Sequence, residues 1–331
     1  MTRTSYTRVF AALFAIAMLP AASAAQNQHV LIIAGVGGDP AYTQKFHGWA
    51  LTMADAAVKS GVPASNVVYL GETPTLAPQR IAGRSDSKGI TAAFRDLVSR
   101  SKPGDEILVV LIGHGSAEGQ ARFSIPGPDL TAADFSRLLA PLADRKVAIV
   151  NTASASGAFL EPLAAKNRVV VTATRSGNER NETVFAQYFV EAYAGAAADS
   201  DKDGRTSLLE AFSYARIETK RFYDNQNRLM TEHAVLDDNG DGKAVAEPDG
   251  RAEGALARAF VLGRSAGAIA GNADPAVRAL YERRRSIEQQ IENLRGMKER
   301  LSQAEYEKRL EDLLVSLAEV NQEIRKAEGG R

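Results

Sequence analysis

The sequence predicts an α/β fold in which helices cover both faces of a mainly parallel sheet. Three observations predict it. Short apolar runs rich in β-branched residues recur along the chain, amphipathic stretches separate them, and each run ends at a Gly, Ser, Thr or Glu. The runs are HVLIIAGVGG, NVVYLGE, EILVVLIGHG, KVAIVNTAS and RVVVTATRS. Apolar residues at nearly every position, rather than at alternate ones, mark strands buried on both faces, as in a parallel sheet.

The intervening stretches carry helical spacing. YTQKFHGWALTMADAAVKSG places Phe46, Trp49, Ala50 and Met53 on one face and ends at Gly61. SKGITAAFRDLVSRSKPGD has the same character and stops at Pro103-Gly104, and TAADFSRLLAPL supplies a third helix. Strand–helix alternation builds a doubly wound sheet, whose ligands gather at the carboxyl ends of the strands. The loops that matter are therefore 35–43, 113–120, 152–158 and 174–182.

Composition narrows the classes of function. Lys plus Arg and Asp plus Glu both count 40 in 331 residues, so the formal net charge is zero. No global field favours nucleic acid or an anionic membrane surface. The chain has no cysteine. Disulfides, thiolate metal sites and a cysteine nucleophile are thereby excluded. Residues 1–25 read as a secretory signal peptide: Arg3 and Arg8, the short apolar core VFAALFAIAML, then the small residues ASAAQ, with cleavage near Ala24 or Ala25. The mature protein is expected to be periplasmic or extracellular, with no membrane span after the signal is removed.

The mature chain divides into an α/β domain over 26–225, an Asp/Gly-rich segment over 226–273 packed on it, and an antiparallel helical hairpin over 274–331. Leu280, Ile287, Ile291 and Leu294 form one stripe, with Arg284 filling a slot. SQAE at 302–305 is a capping box that restarts a helix, and Tyr306, Leu310, Leu313, Leu317, Val320 and Ile324 form the second stripe. The two stripes satisfy each other, or else the 275–327 hairpin serves as an oligomer seam or docks a partner.

Residues 199–210, DSDKDGRTSLLE, fill every slot of a twelve-residue calcium loop. Asp199, Asp201 and Asp203 stand at positions 1, 3 and 5, and Gly204 stands at 6, where the turn needs positive φ. The Arg205 carbonyl is at 7, Ser207 at 9 and Glu210 at 12. A structural calcium ion is the expected cofactor. Residues 237–248, DDNGDGKAVAEP, are a poorer copy: Asp237, Asn239, Asp241 and Gly242 fit, but position 12 is Pro248 and Glu247 comes one step early.

Two strand ends carry candidate chemistry. VVLIGHGSAEG delivers His114 between Gly113 and Gly115, an uncovered imidazole at a strand's carboxyl end. VAIVNTASASG delivers the hydroxyls of Thr152, Ser154 and Ser156 one helix later. VLIGHGS followed by IVNTASASG resembles the two signatures of the legumain-like cysteine peptidases, an apolar strand ending in His-Gly-Ser and one ending in Ala-Cys-x-Ser-Gly. The resemblance extends over about residues 29–225. It implies a caspase-type three-layer α/β/α sandwich, with His114, Gly115 and Ser154 in the catalytic positions and serine where the family has its cysteine. The family's substrate-pocket acid falls on Thr152. Arg175, Glu179 and Arg180, in the loop after the next strand, stand in position to line a pocket.

A hydroxyl is far less acidic than a thiol and needs an aligned base to attack. The expectation is thus a non-catalytic pseudopeptidase, a calcium-stabilised binding or scaffold protein with a peptide or protein ligand. The alternative is a serine-type peptidase or acyl hydrolase in which Ser154 is the nucleophile and His114 the base. Glu118 is the nearest carboxylate in sequence to His114. His29, His47 and His233 carry no context that suggests catalysis.

Overall fold

The computed structural model describes residues 27–202, 204–250, 252–263, 276, 279–280, 283–284, 286–287, 290–291, 294 and 301–329. The signal peptide expectation and Asp203 lie outside the described residues. In chain order the first elements are β1 (Gln28–Ala34), α1 (Pro40–Lys59), β2 (Val67–Gly71), β3 (Gly83–Arg84), α2 (Ser87–Arg100) and β4 (Glu106–Ile112). Next come β5 (Gly115–Ser116), β6 (Arg122–Phe123), β7 (Leu130–Thr131), α3 (Ala132–Leu139), β8 (Lys146–Asn151) and α4 (Leu160–Leu163). The domain finishes with β9 (Arg168–Thr172), α5 (Phe185–Ala194), α6 (Leu208–Asn225), β10 (Val235–Asp237) and α7 (Ala255–Ala259).

The main sheet has the order β10-β9-β8-β4-β1-β2-β3. Every pairing is parallel except β10 against β9. Side chains of the central strands alternate between two cores. Val30, Ile32, Leu108, Val110 and Val150 pack with Phe46 and Met53 of α1, Phe185 and Phe189 of α5, and Phe212 of α6. Leu31, Ile33, Val109, Leu111 and Ile149 pack with Phe94 of α2, Phe135 of α3 and Leu163 of α4. This is the expected α/β/α sandwich. Fully burying each such side chain is worth roughly 1.5–3 kcal/mol, which is why the near-continuous apolar runs become central strands.

The topology also says where function should collect. From β1 the chain runs outward to β2 and β3, then returns to the other side for β4, β8 and β9. The reversal lies between β1 and β4, and the crevice at their carboxyl ends is the usual ligand position in such sheets. Gly35 to Asp39 leave β1 there, and Gly113 to Gly115 leave β4.

The Asp/Gly-rich segment adds β10 as the antiparallel edge. It is stitched to the far end of the sheet through Gln28, whose side chain donates to Val261 O (2.6 Å) and accepts from Gly263 N–H (2.7 Å). In the C-terminal region, Ile287, Ile291 and Leu294 cluster with Leu317, Val320 and Ile324 of the helix Gln303–Gly329. Arg284 reaches Asn321 Oδ1 at 3.5 Å and Arg283 lies 3.9 Å from Glu323, so the last helix runs back along the earlier helical stretch as a hairpin. Among the described residues no helix is long and apolar enough to cross a membrane.

Candidate active site

β4 and β8 are paired in register from Glu106↔Lys146 to Leu111↔Asn151, so the loops that follow them emerge side by side. Thr152 continues the ladder, its N–H donating to Leu111 O at 3.0 Å and its hydroxyl to the same oxygen at 2.8 Å. The chain then turns sharply. Ala155 adopts φ 54°, a left-handed conformation that a non-glycine residue enters at a cost of about 1–2 kcal/mol. Its N–H is held by Glu179 O at 2.7 Å. Ser154 stands on that turn, 6 % exposed.

Gly115 lets the two loops touch. A Cβ on Gly115 would lie 2.6 Å from Ser154 O. The Ser154 hydroxyl donates to Gly115 O at 3.2 Å and accepts a long 3.4 Å bond from Gly115 N–H. The strand excursion β5–β6–β7 braces the other side, with Ser124 N–H bonded to His114 O at 3.0 Å.

His114 is enclosed by α1. The rings of Tyr42 and Phe46 meet the imidazole edge-on at 4.9 and 5.0 Å between centroids. Burial lowers its pKa, against a hydrogen bond to the Gly37 backbone and the charge of Glu182, which both act to raise it. The neutral imidazole is therefore favoured. The Gly37 backbone is a ring-orienting partner that proximity in sequence to His114 does not reveal.

His114, Ser154, Thr152, Glu182 and Trp49 line one recess of about 10 Å³, enough for a single water molecule. Glu182 accepts from Tyr42 Oη at 2.7 Å and Lys45 Nζ at 2.5 Å. Burial acts to raise its pKa, and these hydrogen bonds overcome that and hold it below the usual carboxylate range. The loop bearing Glu182 is anchored twice. Thr183 Oγ1 donates to Thr152 O at 2.5 Å. Glu232, 1 % exposed, accepts from Val184 N–H (2.8 Å), Phe185 N–H (3.1 Å) and Tyr223 Oη (3.0 Å). Burial pushes the Glu232 carboxyl up to about 7.

Of the four residues expected to surround a pocket, only Thr152 lines this recess. Arg175 and Glu179 have other places. Glu179 accepts from Arg175 N–H (3.0 Å), His233 N–H (3.0 Å) and His233 Nδ1 (2.7 Å), so it braces the turn from outside. The Arg175 side chain is largely solvated, 3.9 Å from Glu179. Arg180 pairs with Glu118 at 3.1 Å on the surface, so Glu118 does not serve His114. His47 meets the Tyr69 hydroxyl at 2.9 Å. His29 lies 3.5 Å from Asp105 at the opposite end of the strands.

The two acidic loops form separate clusters. Asp199, Asp201 and Glu210 bring carboxylate oxygens within 4.8 Å of one another. Gly204 has φ 83° and donates to Asp199 Oδ2 at 2.9 Å. Glu210 closes a capping box on Ser207, accepting from its N–H at 2.9 Å and its hydroxyl at 2.8 Å, and its other oxygen accepts from Ser200 N–H at 2.9 Å. The all-oxygen donor set and the glycine turn suit calcium. In the second loop Asp237 and Asp241 gather with Glu253, again within 4.8 Å. Asn239 instead accepts from Asp241 N–H at 2.8 Å. Glu247 points to Arg216 at 3.1 Å, so the missing carboxylate comes from Glu253 and not from its sequence neighbour. Burial pushes Glu253 up to about 7.

Residues 81–235 match the model of the Peptidase C13 (legumain-like) family, a stretch that holds both His114 and Ser154 and makes the chain peptidase-like. Two solved structures share similarity with it. One is protein GSU0716 from Geobacter sulfurreducens, at TM-score 0.41 and 11 % identity over 64 % of this chain and 92 % of that one. The other is caspase-1 from Spodoptera frugiperda, at TM-score 0.42 and 8 % identity over 65 % of this chain and 87 % of that one. No curated protein matches the chain.

Proposed function

We propose that this chain is an exported pseudopeptidase: a peptidase-like protein whose recess binds a peptide segment without cleaving it, with calcium at 199–210 stabilising the start of α6. The observation that carries this reading is the pairing of Ser154. Its hydroxyl bonds the Gly115 backbone, and its would-be base is turned to Gly37 beneath two aromatic rings. A serine nucleophile needs a base positioned to take its proton, and losing such a member costs several orders of magnitude in rate. The signal-peptide pattern of residues 1–25 supports a periplasmic or extracellular location, where calcium is abundant enough for a modest site. Asp199, Asp201, Ser207 and Glu210 would hold the ion with Asp203 and the Arg205 carbonyl. The ion would supply only charge neutralisation and loop order there.

The serine-hydrolase reading draws on one feature, that His114 and Ser154 face the same recess. Hydrolysis of a mixed peptide library, followed by mass spectrometry beside the Ser154→Ala variant, separates the two. The pseudopeptidase reading expects indistinguishable traces. Cleavage by the natural sequence that disappears in the variant would replace it with the hydrolase.

A further inference from the structure

We propose that the recess selects a basic side chain, lysine or arginine, of an extended peptide, and that Lys45 occupies that place in the free protein. The inference rests on the binding reading above and names the chemistry of the ligand. Lys45 Nζ is held in three ways. It lies 2.5 Å from Glu182 Oε1, 5.1 Å from the Trp49 ring centroid and 5.5 Å from that of Tyr42. A carboxylate flanked by two aromatic faces is a cation receptor, because each ring face carries negative electrostatic potential. Glu182 is the one carboxylate lining the recess, and Lys45 is the cation that meets it.

The receptor is rigid and its occupant is not. Glu182 is fixed by Tyr42 Oη, and its loop by the Thr183–Thr152 and Glu232 anchors. Lys45 hangs on a flexible four-carbon stem at the mouth, its side chain 37 % exposed beside a Glu182 that is 38 % exposed. Exposed ion pairs of this kind are weak. The recess itself holds about 10 Å³, too little for any side chain, so a ligand cation would sit at its mouth against Glu182 and Trp49, where Lys45 does. Binding there requires Lys45 to swing away from these groups, which leaves an unbalanced carboxylate and two ring faces. A cationic side chain restores every lost contact. A neutral or acidic one leaves the Glu182 charge without a cation, which is how a site rejects an isostere. A peptide so anchored has its backbone across Gly115 and Ser154, the loop pair that abuts the recess.

Trp49 is the only tryptophan in the chain and reports on the site directly. The experiment titrates the mature protein with acetyl-Ala-Ala-Xaa-Ala-amide, where Xaa is lysine, arginine, norleucine or acetyl-lysine. Trp49 emission and calorimetry are read together. Urea unfolding certifies that Lys45→Ala and Glu182→Gln remain folded. The lysine and arginine peptides are expected to bind at least about tenfold tighter than the two neutral ones. Lys45→Ala, freed of its tethered competitor, is expected to bind them about tenfold tighter still, and folded Glu182→Gln to lose the preference. Equal binding of lysine and norleucine peptides would overturn this inference and leave the recess a peptide site without charge selection. No heat and no emission change with any peptide, in natural sequence and Lys45→Ala alike, would overturn the binding reading as well.

Discussion

The Ser154 hydroxyl donates to the carbonyl oxygen of Gly115 at 3.2 Å, so the candidate nucleophile is hydrogen-bonded to the backbone beside His114. The contact exists because Gly115 has no Cβ, which would lie 2.6 Å from Ser154 O. It leaves the serine a satisfied, buried polar group. A neutral bond of this kind contributes about 0.5–1.5 kcal/mol, so Ser154 has a structural role even without chemistry.

Ser154→Cys places the chain's one thiol on the turn, since no cysteine occurs elsewhere. In a recess that admits one water, with the imidazole covered, iodoacetamide should alkylate the folded variant at least about tenfold more slowly than the urea-unfolded one at pH 8. The comparison is made by mass spectrometry against time. A folded-state rate above the unfolded one would mean that His114 does lower the thiol's pKa.

Glu232 makes stability depend on pH in a stated direction. Its folded pKa of about 7 lies above its ordinary value of 4.5, so the folded state holds a proton the unfolded state releases. Its contribution is complete below pH 4.5 and is lost as pH rises to about 7, a change of about 3 kcal/mol. Urea unfolding at pH 5, 6, 7 and 8 should therefore show Glu232→Gln gaining relative to the natural sequence across that window. A difference that stays constant with pH would show that Glu232 is ionised throughout.

Gly157 and Gly48 should respond oppositely to alanine. A Cβ on Gly157 would meet Arg175 C and Ser176 N at 2.3 Å, a backbone clash that costs about 1–3 kcal/mol. Gly48 lies inside α1 with nothing within 4 Å of its Cβ position, so alanine there should stabilise by about 0.5–1 kcal/mol. Thermal unfolding of both variants checks the signs. Only Gly157→Ala should loosen the Ser154 turn.

Calcium at a hundred times its dissociation constant should stabilise the mature protein by about 2.7 kcal/mol, reversed by chelator. Asp199→Asn should weaken that gain. Glu210→Ala should abolish it and also lose about 1 kcal/mol without calcium, because Glu210 closes the capping box on Ser207. An identical melting midpoint with calcium and with chelator would remove the cation from the account.

The fold was legible because the apolar runs are continuous where strands are buried on both faces, and HGS and TASASG were legible because glycines and small residues mark sharp strand ends. The clefts' electrostatics were not. Glu182 meets Tyr42 across 140 positions and Lys45 across 137, and no local pattern encodes such a pairing. Glu253 completes the second acidic cluster from the turn just before α7, outside the twelve-residue spacing that the loop motif prescribes. Conversely Glu179, next to Arg180 and well placed by sequence, is drawn away by His233, 54 positions on. Local chemistry is written in spacing, whereas the partners of a charge depend on which loops the sheet order brings together.

The most direct test of the central claim is labelling of the mature, calcium-loaded protein with a fluorophosphonate probe, beside Ser154→Ala and His114→Ala. The account predicts no Ser154 adduct in the natural sequence or in His114→Ala by peptide mass spectrometry, and a trace matching that of Ser154→Ala, from protein that unfolds cooperatively. An adduct on Ser154 that disappears in both variants would contradict it and make the TASASG turn a working serine nucleophile.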